Sequence, residues 1–276
     1  MTLRRLFALL LLGTCGFALA GCGDTLSFDP VASAASKTAQ STSARVAFDA
    51  NMNIEGVGAM SFTGTGVYDG RSKSGALNMR FMIPQAAQTQ LGANPGMELI
   101  FDGSDGFVMY MRSSLFKPLA PEKWIKMDLE QLADKQRVDL SAFMNANQAD
   151  PSQTLRMLMA SNEARVAGYD RVRGVFTTHY SLRVDLKRLA QKNEALRESV
   201  EQAMKLTGIE SYPAEAWIDD QGRVRKMKVD MSFNSALGAF TMTMTEELYD
   251  FGVRVNIQPP PAGQVVDLSA LVGSGS

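Results

Sequence analysis

Residues 46–54 read Val-Ala-Phe-Asp-Ala-Asn-Met-Asn-Ile, with the larger apolar side chains at every second place. A period of two marks a strand with one buried and one wet face. The pattern recurs in Met60, Phe62, Gly64, Gly66 and Tyr68, and in Leu77, Met79, Phe81 and Ile83. It returns over 97–101, 107–111 and 124–129, then in Phe176, Tyr180, Leu182 and Val184. It closes with Met227, Val229, Met231 and Phe233, and with Phe240, Met242 and Met244. Turn residues separate the runs: Glu55-Gly56, Asp69-Gly70, Asp102-Gly103, Gly174 and Asp220-Gln221-Gly222. Successive half-apolar strands joined by short turns pair antiparallel and keep one face in water.

Helical spacing interrupts this pattern. Asp29-Pro30 supplies an N-cap acid with proline at the first helical position, and predicts a helix to about Gln40. Short helices are expected over 128–135 and 141–147. Asp150-Pro151 opens another, striped by Leu155, Leu158 and Met159. A long helix is expected over 187–206, striped by Leu189, Leu196, Val200, Ala203 and Met204 and stopped by Gly208. A short strand near 251–257 and a closing turn over 265–272 complete the reading. Helices and strands come in blocks, which makes the class α+β. One domain over 29–272 is expected, with residues 273–276 as a frayed, disordered tail.

The N-terminus has its own pattern. Arg4 and Arg5 precede the apolar run 6–12, and Ala18-Leu19-Ala20-Gly21-Cys22 ends it with small residues. This is the layout of a secretory signal peptide, residues 1–21, too short for a dedicated span. Leu19-Ala20-Gly21-Cys22 also resembles the bacterial lipobox, in which the cysteine thiol receives a diacylglycerol and becomes the new N-terminus. Ala18-Leu19-Ala20 is equally an A-x-A site for an ordinary signal peptidase. Residues 22–28 are then a short lipidated tether. The expected location is the outer face of the cytoplasmic membrane, held by the lipid on Cys22.

Composition removes several classes. The 28 Lys and Arg nearly balance 29 Asp and Glu, so no basic face for nucleic acid is expected. Of two cysteines, Cys15 lies in the signal, which leaves Cys22 alone. A disulfide scaffold and cysteine-based metal or redox chemistry are excluded. His179 is the single histidine, set on the polar face of its strand. No catalytic triad, metal set or phosphate loop can be assembled around it, so no cofactor, metal or enzymatic activity is expected. Asp102, Asp105, Asp219 and Asp220 read as turn residues, not a calcium loop. Seventeen methionines stand out. They fit a Met-tolerant core or a deformable apolar pocket.

With these residues in view, the chain resembles the LppX/LprAFG family of actinobacterial lipoproteins. The likeness rests on the lipobox, the small-residue first helix and two strands. One is Gly174-Val175-Phe176-Thr177-Thr178-His179-Tyr180-Ser181. The other is the Trp-Ile-Asp hairpin within residues 213–224, built on Trp217, Ile218 and Asp219. The resemblance implies a strongly curved antiparallel half-barrel, similar to the carriers LolA and LolB, with helices covering its concave apolar face. It also implies acyl chains of lipids or glycolipids held between sheet and helices, for carriage across the envelope. An export partner in the membrane is the further expectation.

Alternation selects the side chains that such a cavity would use. They are Phe48, Met52, Phe62, Met79, Phe81, Met109, Tyr180, Leu182, Met231 and Met242 on the sheet. Leu155, Met159, Leu196 and Val200 would form the lid. Gly64 and Gly66 would keep part of the wall low. Two function classes remain: a lipid-binding carrier, or a cell-surface interaction module whose apolar layer is simply closed.

Overall fold

The structure is a computed structural model that describes residues 29–41, 43–85, 88, 95–103, 108–117, 120–128, 152–235 and 238–268. The signal, Cys22, the tether, the two short helices expected within 128–147 (all but Asp128, which ends a strand) and the C-terminal tail lie outside these residues.

Twelve strands form one curved, unclosed sheet. They are β1 Ser43–Ile54, β2 Gly58–Asp69, β3 Ser74–Met82, β4 Gly96–Asp102, β5 Val108–Ser113 and β6 Trp124–Asp128. The second half holds β7 Ser161–Val172, β8 Val175–Asp185, β9 Ser211–Asp219, β10 Val224–Ser235, β11 Gly238–Tyr249 and β12 Val265–Asp267. The order across the sheet is β12-β6-β5-β4-β3-β2-β1-β11-β10-β9-β8-β7. Each half is therefore a run of sequential antiparallel neighbours, and the pairing of β1 with β11 joins the halves. Only β12 on β6 is parallel. The result is an α+β half-barrel with β7 and β12 as its edges.

Register puts the even residues of β1, β2, β8, β9 and β11 on one face, with Val224 at the start of β10. Phe48 faces Gly64 and Glu246, Ala50 faces Phe62 and Met244, and Tyr180 faces Ala216. A bulge between Val224 and Lys226 shifts β10, so Met227, Val229 and Met231 join that face. The opposite face is polar. There Lys228 pairs across to Glu215 and Thr245, and Asp49 to Thr63.

Helices cover part of the apolar face. In α1, Pro30–Ala39, the Asp29 carboxylate accepts from the N–H groups of Val31 and Ala32, at 2.9 and 3.1 Å. Val31, Ala34 and Ala35 pack with Leu155 and Leu158 of α2, Ser152–Met159. Beneath them lie Val184, Ala214, Ala216, Val224, Met227 and Val229 of the sheet. The long helix expected over 187–206 is two helices, α3 Leu186–Lys192 and α4 Glu194–Thr207. Asn193 separates them in extended conformation, φ −133° and ψ 96°, and is the N-cap position of α4. Asparagine favours that role over a helix interior. Leu189 and Leu196 still meet, in a small cluster with Ala160.

Two C-terminal expectations are corrected. Residues 251–257 form no strand, because the chain turns away at Asp250 (φ 49°) and β11 is already flanked by β1 and β10. Residues 265–267 do not turn but extend as β12 along β6.

The gaps left by Gly64 and Gly66 are filled. A Cβ at Gly64 would run into the Phe48 ring, and one at Gly66 into Leu77 and the Ala76 carbonyl. These glycines seat neighbouring side chains rather than lowering a wall. Gly64→Val is expected to lose about 1–3 kcal/mol to overpacking. That lowers the melting temperature by roughly 2–4 °C per kcal/mol. Gly168→Ala, where a Cβ meets open space, serves as the neutral control in the same melts.

Candidate functional site

Four methionines stand side by side across the middle of the sheet. Met60 of β2 faces Met52 of β1, Met52 faces Met242 of β11, and Met242 faces Met231 of β10. Each is placed by the alternation of its own strand. The row lies near one end of the sheet, where the β1–β2 and β10–β11 hairpins turn. The next row inward holds Phe62, which faces Ala50 on one side and Phe81 on the other. The Phe62 ring meets Phe48 edge-on at 6.0 Å and Phe81 at 6.2 Å.

A groove of about 1060 Å³ opens at this end of the sheet. Met52, Met60, Met231 and Met242 line it, and so do Asn51, Asn53, Arg183, Glu210, Asp230 and Thr243, so its wall is part apolar and part polar. That volume is at the upper end of the roughly 300–1,000 Å³ typical of ligand sites. Methionine walls are flexible and polarizable, and they adapt to apolar shapes that vary.

The fourteen cavity candidates divide into four groups. Met52, Met231 and Met242 line the groove. Phe48, Phe62, Met79, Phe81 and Tyr180 are half-buried on the same face behind it. Met109, Leu155 and Leu182 are buried in the main core, and Met159 packs against it. Leu196 and Val200 belong to the separate cluster around Leu189. Among the groove residues missing from the expectation are Met60, Ile83, Ile209 and Tyr212. Met60 carried the right alternation; what the sequence lacks is a sign of which end opens into the groove. Ile209 and Tyr212 follow the stop at Gly208, outside any periodic run.

The polar groups near the groove are well held. The buried Tyr212 hydroxyl donates to Met157 Sδ at 3.3 Å, and burial pushes its phenol well above the usual range. Burial would raise the Asp230 carboxyl. The Thr243 hydroxyl at 2.6 Å and the Lys228 ammonium outweigh burial and hold it below its ordinary value. Lys228 is raised in turn, first by its hydrogen bond to Asp230. His179 sits on the wet face. It shares a 2.6 Å hydrogen bond with Glu215 and stacks on Trp217 at 4.2 Å. Among the described residues no three His, Cys, Asp or Glu side chains come together as a metal site needs. No described helix is long and apolar enough to cross a membrane. The groove offers a guest both apolar and charged partners.

No family model matches the sequence. A 31.2 kDa protein of Streptomyces griseus, from the rplA-rplJ intergenic region, is 26% identical over 68% of the chain and 65% of its own length. A Streptomyces coelicolor protein, described as a candidate lipoprotein, is 25% identical over 62% of the chain and 51% of its own. The matches thus span less than two thirds of these relatives. Among solved structures, LprF of Mycobacterium bovis is 15% identical with a TM-score of 0.49, covering 84% of this chain and 96% of that one. The lipoprotein LppX of Mycobacterium tuberculosis is 13% identical with a TM-score of 0.43, covering 83% and 100%. A LolA superfamily protein of Nitrosomonas europaea is 10% identical with a TM-score of 0.26, covering 85% and 94%. Each of these solved structures is at most 15% identical to this chain, with a TM-score under 0.5.

Proposed function

We propose that this protein is an envelope-anchored lipoprotein that binds acyl chains of lipids or glycolipids in the methionine groove and carries them across the envelope. The observation that supports it is the row Met60–Met52–Met242–Met231 in the wall of a groove of about 1060 Å³. The half-buried Phe62 and Phe81 extend the apolar surface inward from that row. The lipobox at Cys22 and the name of the Streptomyces coelicolor relative agree with the reading. Each buried methylene contributes about 0.8 kcal/mol, so chain length sets affinity more than headgroup does. A lipid diacylated on Cys22 would hold the domain on the outer face of the cytoplasmic membrane, beside any partner that supplies its cargo.

The test is native mass spectrometry of protein taken from membranes, before and after organic extraction. Bound lipid is expected as a mass excess that extraction removes. A Met52→Glu, Met242→Glu double variant should hold at least tenfold less, since each lost apolar contact is worth about 1.5–3 kcal/mol. Wild-type protein that yields no lipid would leave the closed interaction module standing instead.

A further inference from the structure

We propose that the end of the sheet at which the groove opens is a docking face for a phospholipid bilayer. This rests on the anchor proposed at Cys22. Three observations converge on that end.

The first is where the chain enters the fold. Ser161 Oγ donates to Asp29 Oδ2 at 2.8 Å, which fixes the start of α1 beside the start of β7. Ser161 pairs with Val184, and Val184 with Tyr212, a groove residue. The tether therefore leaves from the groove end of the sheet. Six residues, 23–28, lie between Cys22 and Asp29. Fully extended they reach at most roughly 25 Å, so an anchored Cys22 keeps this end close to the bilayer.

The second is what that end exposes. Val57 is 56% exposed at the β1–β2 turn, Met82 58% at the end of β3, and Leu206 79% in the last turn of α4. Each lies on or within two residues of a groove residue. Apolar side chains displayed around the mouth of a groove are costly in water and mark an interaction surface.

The third is the position of two of the three other large exposed apolar side chains, Tyr169 and Phe176; the remaining one, Val166, lies on β7 between Ser161 and Tyr169. Tyr169 and Phe176 stack at 5.8 Å on the β7–β8 hairpin, and Tyr169 is eight residues along β7 from Ser161. At about 3.3 Å per residue that places them roughly 26 Å from the tether exit. They lie beyond the reach of a bilayer that holds the opposite end.

The experiment uses full-length lipidated protein reconstituted in vesicles of phosphatidylcholine and phosphatidylglycerol. Cys22 is occupied by lipid, so single cysteines at Val57→Cys, Met82→Cys, Leu206→Cys and Tyr169→Cys can each carry an environment-sensitive fluorophore. Brominated acyl chains should quench the first three at least twofold and leave the fourth unchanged. All four sites are more than half exposed, so the labels leave the core intact. An independent arm uses Val57→Asp, Met82→Asp, Leu206→Asp, which should stay anchored but exchange groove lipid with the vesicle at least tenfold more slowly. A lipidated, vesicle-held protein whose three probes stay in water, with exchange unchanged in the triple variant, overturns the docking face alone. Protein whose Cys22 carries no lipid and which never reaches the vesicles overturns anchor and docking face together.

Discussion

Cys22→Ser is expected to move the protein entirely from the membrane fraction to the soluble fraction. The proposed anchor is a diacylglycerol thioether, with an amide-linked third chain if one is added. Two or more chains give stable attachment, whereas one gives only marginal binding. No described helix offers a substitute span. The serine variant also has an exit. Ala18-Leu19-Ala20 remains available to an ordinary signal peptidase, so the released chain should begin at Gly21. Fractionation followed by intact mass reads both events at once. A serine variant that stays on the membrane, with the unmodified mass of a chain starting at Gly21, sinks the anchor.

The second large effect is structural. Asp219 ends β9 with its side chain fully buried. Its carboxylate accepts from the Arg223 N–H at 2.8 Å, from Arg223 Nε at 3.1 Å and from Arg225 Nε at 2.7 Å. Both guanidinium groups also lie over the Phe251 ring, at 4.7 and 4.9 Å. Asp219→Ala leaves two like charges facing each other and a backbone donor unpaired, at a cost of about 3–5 kcal/mol. Urea unfolding should show a lower midpoint with an unchanged slope. Burial alone would raise this carboxyl; the hydrogen bonds from the Arg223 N–H, Arg225 and Arg223 outweigh it and hold it below its ordinary value. Its contribution is therefore fully present above the unfolded carboxylate range, near pH 4, and is lost as pH falls through the lower folded value. The gap between wild type and Asp219→Asn should be constant from neutral pH to about pH 5 and shrink in more acid solution.

The alternation of Val46 to Ile54 and of Met227 to Phe233 was enough to assign each strand a buried face. So was the Asp29-Pro30 helix start, because a cap is a local device. The order of strands was not legible. Nothing near Val46 says that it will face Leu248 rather than a neighbour in sequence. The break at Asn193 was missed because Leu189 and Leu196 keep helical spacing across it. The groove was half legible. Parity put Met52, Met231 and Met242 on one face together with Leu182 and Met109. The placement of α1 and α2 puts Leu182 in the core, while Met242 lines the groove. Cover is a tertiary property, and strand periodicity carries no trace of it.

The seam between β1 and β11 has a bearing on biogenesis. Its partners, from Arg45 and Tyr249 to Ile54 and Phe240, are separated by close to two hundred residues of chain. Contacts of such long range form slowly, because loop closure must precede their reward. A chain threaded through a translocase N-terminus first presents β1 early and β11 almost last. Until then β1 has β2 on one side and an open row of N–H and C=O groups on the other, a template for pairing with any stray strand. On the export route proposed above, the fold is finished only after β11 has crossed, and until then the β1 edge stays open.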